Sequence, residues 1–325
     1  MSLVVHQVTR PLGTPTFDQF AYLEVPTPVP GTGEALVENL YLSVDPYMRE
    51  AMNEDELGTP MEGRSIGRVV RSAASGLDVD HLVFHRQGWR SHAIVTPSDV
   101  RVLPELPGVP LTAYLGVLGG TGLSAYAGLT QVARLQPGET VFVSAAAGAV
   151  GGAVGQFARQ LGAERVIGST GTAAKAAHLL TNLGFDAAVD YTAGDLTAQL
   201  AAAALGGVDV YFDNVGGSHL EAAIDVLRDH GRIAWCGAVA QYNALTAPAA
   251  PRNLFTIVAK QLRLEGFLVR DYQHLQPELE KFVVPRLRDG RIVVDETVVD
   301  GLTNMVDAFL SMLSGGNTGK MLIRL

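Results

Sequence analysis

Thr140-Val141-Phe142-Val143-Ser144-Ala145-Ala146-Ala147-Gly148-Ala149-Val150-Gly151 decides the fold of this chain. An apolar β-type run passes into a tight turn of small residues, and a helix-like stretch then runs to about Gly162. Strand, small-residue turn and helix start, in that order, present backbone N–H groups and a helix N-terminus to a pyrophosphate. Small residues are required where the backbone must approach phosphates closely, because a larger side chain would collide with them. The pattern is A-x-G-x-x-G on Ala146, Gly148 and Gly151, with alanine at the first glycine position and Val150 inside the pattern. Taken alone, such a pattern also suits plain helix–sheet packing. The residues beyond it carry the weight.

The next β-type run is Arg165-Val166-Ile167-Gly168-Ser169. It ends about twenty residues past the turn, where NAD enzymes carry Asp or Glu for the ribose 2′-hydroxyl. No carboxylate stands between Arg165 and Ala174; the run ends instead in Gly168-Ser169-Thr170-Gly171-Thr172, with Lys175 one helical turn later. A carboxylate there would repel a 2′-phosphate, whereas hydroxyls and an ammonium accept it. The expected cofactor is therefore NADPH, with Ser169 and Lys175 as ligands. The competing reading makes Lys175 a solvated helix lysine and Ser169 loop filler.

The bulk of the chain narrows its class. At 325 residues and 47% apolar content it suggests two domains with large cores. A net charge of −9, with no basic block, argues against nucleic acid or an anionic membrane as partner. The single cysteine, Cys236, excludes a disulfide framework within the chain and a four-cysteine zinc site. The eight histidines show no metal-ligand spacing. No apolar run reaches the length of a membrane span and the first residues lack a signal-peptide core, so a cytoplasmic protein is expected.

Residues 1–110 hold short β-type runs such as Ala35–Leu42, Ile66–Val70 and His92–Val95, punctuated by Pro/Gly turns like Pro26-Thr27-Pro28-Val29-Pro30-Gly31. They predict a small antiparallel, barrel-like β domain. From about Leu118 strands and helices alternate, with strands expected at 140–145, 165–169, 187–191, 208–213, 232–236 and 263–269. That rhythm is an α/β doubly wound parallel sheet, the Rossmann architecture. After Arg291 the β character returns over Ile292–Val299, followed by an amphipathic stretch Leu302–Leu313 and a last strand Lys320–Leu325. The expected division is a barrel-like substrate domain of residues 1–118 with 292–325 and a cofactor domain of residues 119–291.

Several stretches then match one family nearly end to end. They are Leu42-Ser43-Val44-Asp45-Pro46-Tyr47-Met48-Arg49, the 145–151 turn, Tyr211-Phe212-Asp213-Asn214-Val215-Gly216-Gly217, Pro251-Arg252-Asn253-Leu254-Phe255 and Asn317-Thr318-Gly319-Lys320. The chain resembles the zinc-free branch of the medium-chain dehydrogenase/reductases, and within it the prostaglandin/leukotriene reductases, plant alkenal double-bond reductases and curcumin reductase. One departure is Gly119-Gly120-Thr121-Gly122-Leu123, where that family more often has Met-Pro before Gly-Leu. The resemblance implies a GroES-like barrel joined to the Rossmann domain, an NADPH cofactor and a homodimer. The zinc-binding Gly-His-Glu that related dehydrogenases carry near the equivalent of Glu62-Gly63-Arg64-Ser65-Ile66-Gly67 is absent, as is their earlier cysteine ligand. Without zinc there is no Lewis acid for an alkoxide, which leaves hydride addition to an activated C=C bond or a quinone.

The resemblance also assigns residues. Tyr191 would help cradle the 2′-phosphate beside Lys175, and Asn214 would lie against the ribose and nicotinamide. Each also has a plain reading: a half-buried tyrosine at a strand end, and an Asn-initiated turn before Gly216-Gly217. Tyr242, in the loop after the fifth strand, would face substrate and nicotinamide and donate a hydrogen bond to an enolate oxygen; it could equally be a pocket wall, with a ribose hydroxyl as donor. Cys236, Phe267, Val269 and Asn317 complete the implied cofactor contacts, although Cys236 in its apolar strand also reads as a packed thiol. Tyr47 is expected to line the substrate site, and Arg49 to stand near enough in sequence to pair with Asp45. Phe267-Leu268-Val269 is expected to end the strand through which two copies join. The leading expectation is an NADPH-dependent alkenal/enone reductase, with an NADPH quinone reductase or a non-catalytic NADPH-binding protein as rivals.

Overall fold

Two compact units form from one chain: Met1–Leu115 together with Glu296–Leu325, and Gly116–Asp295. A computed structural model of the protein describes residues 1–246 and 248–325. In the first unit, β1 (Ser2–Gln7) and β2 (Phe20–Val25) make an antiparallel hairpin of their own. Next come β3 (Ala35–Ser43), the short helix α1 (Met48–Ala51), β4 (Ser65–Ser72), β5 (Leu82–His85), β6 (His92–Val95) and β7 (Arg101–Val102). β3 is the spine, pairing antiparallel with both β4 and β6.

The second unit begins with α2 (Gly120–Ala127) and then alternates. The order is β8 (Thr140–Val143), α3 (Ala149–Gln160), β9 (Arg165–Thr170), α4 (Ala173–Thr181), β10 (Ala187–Asp190), α5 (Leu196–Ala203), β11 (Val208–Asp213), α6 (Gly217–Val226), β12 (Leu227–Trp235), α7 (Phe255–Ala259), β13 (Arg263–Gly266) and α8 (Gln276–Arg288). All its strand pairs are parallel, in the order β10-β9-β8-β11-β12-β13. This is the doubly wound order, with the switch point at β8 and β11. Continuous apolar runs are what a sheet covered on both faces requires. Phe142 of β8 stacks on Tyr211 of β11 at 4.9 Å, and Ile167, Val189, Leu200, Leu220 and Ile233 pack around them. Burying each large apolar side chain contributes roughly 1.5–3 kcal/mol.

The expected strand limits shift most at two places. β12 begins five residues earlier than 232, because Leu227 and Arg232 both register against β11, with a shift between them. The last strand stops at Gly266; Phe267 and Leu268 leave the ladder, and Val269 opens a short 3₁₀-helical segment, Val269–Leu275, kinked at Tyr272. The expectation that Phe267-Leu268-Val269 ends that strand is thus corrected.

The chain returns to the first unit as β14 (Glu296–Asp300), α9 (Met305–Leu313) and β15 (Lys320–Arg324). β15 pairs antiparallel with β3 but parallel with β14, since a helical crossover brings the chain back in the same direction. The sheet is therefore mixed, not wholly antiparallel. Its core gathers Phe20, Trp89 and Phe309, with Trp89 stacked on Phe20 at 5.5 Å and edge-on to Phe309 at 5.6 Å. Among the described residues no helix is long and apolar enough to cross a membrane.

Candidate functional site

The turn after β8 has the geometry that phosphate binding needs. Gly148 is the N-cap of α3, and no side chain caps the helix. The first i→i−4 bond runs from the Gly152 N–H to the Gly148 carbonyl at 2.8 Å. The N–H groups of Ala149, Val150 and Gly151 precede it, as orphan donors at the positive end of the helix dipole. α4 and α5 differ, for Thr172 and Asp195 cap them with side-chain oxygens. Gly151 is forced by packing, because a Cβ there would stand 2.3 Å from the Ala145 carbonyl oxygen. At Gly148 a Cβ would meet only that oxygen, at 3.2 Å, so the chain's own atoms leave that side open. Ala146 is fully buried and its N–H donates to the Ser169 carbonyl at 2.9 Å, which locks the turn onto β9.

At the end of β9 the hydroxyls divide. Ser169 is fully enclosed and its hydroxyl has no partner. Thr172 is exposed and accepts the backbone N–H of Lys175 at 3.2 Å. Lys175 is half-buried, and the loss of water around its ammonium lowers its pKa. Tyr191 is part of the same group, since a Cβ on Gly171 would lie 2.7 Å from its hydroxyl. The structure therefore gathers Gly171, Thr172, Lys175 and Tyr191 around one accessible turn and sets Ser169 beneath it.

The other end of the turn leads to Asn214 and Tyr242. The Asn214 side-chain amide donates to the Ser144 carbonyl at 2.8 Å, and its backbone N–H donates to the Ser144 hydroxyl at 2.9 Å. Asp213 braces the same loop: one carboxylate oxygen accepts from the Val215 and Gly216 N–H groups at 2.8 Å and from the Tyr211 hydroxyl at 2.7 Å. Burial raises the Asp213 pKa, and its second oxygen has no partner. A Cβ placed on Gly237 would be 3.5 Å from both the Asn214 carbonyl and the Tyr242 hydroxyl. Tyr242, Asn214 and the glycine turn thus share the carboxyl edge of the sheet, where such folds bind ligands.

Cys236 follows the last residue of β12, and burial pushes its thiol up to about 12. The thiol therefore keeps its proton at neutral pH. The Phe267 side chain turns into the core, edge-on to Phe212 and Tyr272 at 6.1 and 5.9 Å. Val269 opens the helical segment after β13.

In the first unit, Tyr47 precedes α1 and its hydroxyl is enclosed without a hydrogen-bond partner. Arg49 does not pair with Asp45. Its guanidinium bonds the Gly13 carbonyl at 2.8 Å and the Asn53 amide oxygen at 3.0 Å. Asp45 instead meets Arg64 at 3.2 Å and Lys320 at 3.1 Å, and accepts the Ser43 hydroxyl. Asn317 closes the turn before β15, its amide donating to the Gly319 carbonyl at 2.7 Å. Among the described residues no three His, Cys, Asp or Glu side chains come together as a metal-ligand set.

Family models match most of the chain: one described as the N-terminal domain of oxidoreductase over residues 5–103, the other as zinc-binding dehydrogenase over residues 149–285. A 2-alkenal reductase (NADP(+)-dependent) of Nicotiana tabacum is 41% identical over 302 residues, covering 90% of this chain and 88% of the relative. Prostaglandin reductase 1 of Rattus norvegicus is 40% identical, covering 96% of this chain and 95% of its own. The chain belongs to the medium-chain dehydrogenase/reductases, in the branch of the alkenal, prostaglandin and curcumin reductases. The crystal structure of CurA in complex with NADPH, from Vibrio vulnificus, superposes on this reductase with a TM-score of 0.92 at 35% identity, covering 99% of this chain and 98% of that one.

Three residues of this reductase escaped the reading of its sequence. Arg64 is one, its guanidinium 5.1 Å from the Tyr47 ring centre. Lys320 stood inside a matched motif with no role assigned. His219, enclosed and edge-on to Tyr191 at 5.0 Å, is the third, and burial lowers its pKa to about 4. Only Lys320 carried a signal, as a cation opening an apolar final strand. Arg64 and His219 sit in ordinary-looking segments.

Proposed function

We propose that this reductase adds hydride from NADPH to the C=C bond of α,β-unsaturated aldehydes or ketones. The protein is an NADPH-dependent oxidoreductase acting on a carbon–carbon double bond; the choice of enal or enone is our reading. The observation that carries it is the path Ser144–Asn214–Gly237–Tyr242, which links the dinucleotide turn to a phenol at the carboxyl edge of the sheet. A phenol hydroxyl can donate a hydrogen bond to an oxygen that gains negative charge.

The backbone N–H groups of Ala149, Val150 and Gly151 hold the pyrophosphate. Lys175, Thr172 and Tyr191 take the 2′-phosphate, and Asn214 orients the ribose and nicotinamide side. When bound, NADPH supplies the hydride that enters at the substrate's β-carbon. Tyr242 then hydrogen-bonds the enolate oxygen, and a proton reaching the α-carbon completes the saturated carbonyl. No step requires a metal. Two copies join through β13, whose outer edge has no strand partner among the described residues, and through the exposed apolar α7.

The test is NADPH oxidation with a simple enal, a simple enone and a quinone, with the products identified. Saturated aldehyde or ketone as the main product supports the reading. Turnover of the quinone alone makes the protein a quinone reductase, and NADPH binding without any turnover makes it a binding protein.

A further inference from the structure

Gly216 and Gly217 take left-handed φ values of 72° and 53°, so the chain leaves β11 and turns at once into α6. The third residue of that helix, His219, is enclosed at 4% exposure. Its ring meets Tyr191 edge-on, with 5.0 Å between centres, and its Nε2 has no hydrogen-bond partner. Tyr191 directly follows β10, and its backbone N–H donates to the Thr170 carbonyl at 3.0 Å, which continues the pairing of β10 with β9. The phenol hydroxyl then lies 2.7 Å from where a Cβ on Gly171 would stand. Three segments of the second unit thus converge: the turn after β9, the residue after β10 and the first turn of α6.

Two features set this contact apart from ordinary packing. A buried polar atom without a partner is costly, and a neutral imidazole edge-on to an aromatic ring can recover part of that cost by offering a ring N–H to its face. Burial lowers the His219 pKa to about 4, so the imidazole is neutral at pH 7 and sets no cation behind the phenol. Tyr191 is also 44% exposed, and a half-exposed phenol without a neighbour behind it spreads over several rotamers. Fixing the ring before a ligand arrives removes that ordering cost from binding. Glycine at 171 leaves the space that the hydroxyl needs.

We propose that His219 is a positioning residue for cofactor choice: its imidazole backs the Tyr191 ring and holds the phenol hydroxyl beside Gly171, ready for the 2′-phosphate of NADPH. The proposal rests on the assignment of Tyr191 and Lys175 to that phosphate in the functional reading above. Only a ligand that carries the phosphate uses the placed hydroxyl. His219 therefore acts on the preference for NADPH over NADH, not on dinucleotide binding in general.

The experiment is calorimetric binding of adenosine 2′,5′-bisphosphate and adenosine 5′-monophosphate, with NADPH and NADH measured alongside. The first two ligands differ only in the 2′-phosphate and carry no nicotinamide, so no turnover enters the readout. His219→Leu removes the ring at similar volume and should weaken binding of the bisphosphate and of NADPH by about 3–10-fold, the scale of one aromatic edge contact. The monophosphate and NADH should change by less than about two-fold. His219→Phe keeps an aromatic edge and should bind the bisphosphate within about two-fold of wild type. In the Tyr191→Phe background His219→Leu should cost less than about two-fold, since the hydroxyl it places is gone. Should His219→Leu not fold, His219→Gln, which keeps a polar group but has no ring, is read in the same way. Equal losses for ligands with and without the 2′-phosphate would overturn the proposal, as would unchanged affinity, the same loss in both backgrounds, or His219→Phe as weak as His219→Leu. Wild-type protein that binds the bisphosphate no more tightly than the monophosphate would instead remove the 2′-phosphate reading of this turn, and the proposal with it.

Discussion

The Lys320 ammonium lies 3.1 Å from the Asp45 carboxylate, both side chains buried in the first unit. The contact joins the Asp45–Arg49 motif near one end of the chain to the Asn317–Lys320 motif near the other. Burial opposes the charge on each partner, but Lys320, Arg64 and the Ser43 hydroxyl outweigh it at Asp45 and hold that carboxyl at about 2. Burial remains the larger influence on Lys320, whose pKa is lowered. The ion pair thus locks two motifs together rather than adding net stability, which is the usual outcome for buried charge pairs.

Asp45→Asn should therefore cost about 3–5 kcal/mol in urea unfolding, because it leaves Arg64 and Lys320 buried without their counter-charge. The Asp45 carboxyl is lower in the folded protein than in the unfolded chain, so its contribution is fully present above the ordinary carboxylate pKa and is lost as pH falls through about 2. The stability difference between wild type and Asp45→Asn should be flat above about pH 5 and shrink toward pH 2. A difference that stays constant down to pH 2 would contradict this.

Lys175→Ala should weaken NADPH binding by about 1.5–3 kcal/mol, the loss of one charged hydrogen bond, and leave NADH binding almost unchanged. Isothermal titration with both cofactors measures it. An equal loss for the two would show that Lys175 does not recognise the 2′-phosphate.

Tyr242→Phe should lower kcat with an enone by roughly 10–1,000-fold while KM changes little, since the ring is kept and only the donor is lost. The comparison requires conditions in which hydride transfer limits the rate. An unchanged kcat would make Tyr242 a pocket wall and pass the donor role to a ribose hydroxyl or to water.

Dialysis against a chelator should leave activity intact, because zinc chemistry needs three or four clustered N, S or O ligands. Elemental analysis of the active protein checks this independently. Stoichiometric zinc that leaves together with activity would overturn zinc independence.

Phe255 and Val258 of α7 are 78% and 68% exposed, next in the chain to the open-edged β13. Large apolar side chains beside an open sheet edge predict a partner. Light scattering should report a dimer, and Val258→Glu should lower its mass toward that of the monomer. A monomeric wild type at micromolar concentration would remove the proposed interface.

The sequence alone determined the parts of this protein that depend on neighbours along the chain. Apolar runs, small-residue turns and helix starts act over a few residues, so the six parallel strands, the Ala146–Gly151 turn and the missing carboxylate after β9 were all legible. Strand ends were less so: Phe267 reads as strand but turns into the core, because its ring finds Phe212 and Tyr272 there. Only the tertiary structure decided which charges meet. Arg49 is the cation nearest Asp45 in sequence, yet it is spent on Gly13 and Asn53, while Arg64 arrives just ahead of β4 and Lys320 on β15. Likewise the placing of the Tyr191 hydroxyl beside Gly171, and of the Tyr242 hydroxyl beside Gly237, follows from how the sheet edge brings distant loops together. Ion pairing and ring contacts depend on distance in space, and sequence separation does not encode it.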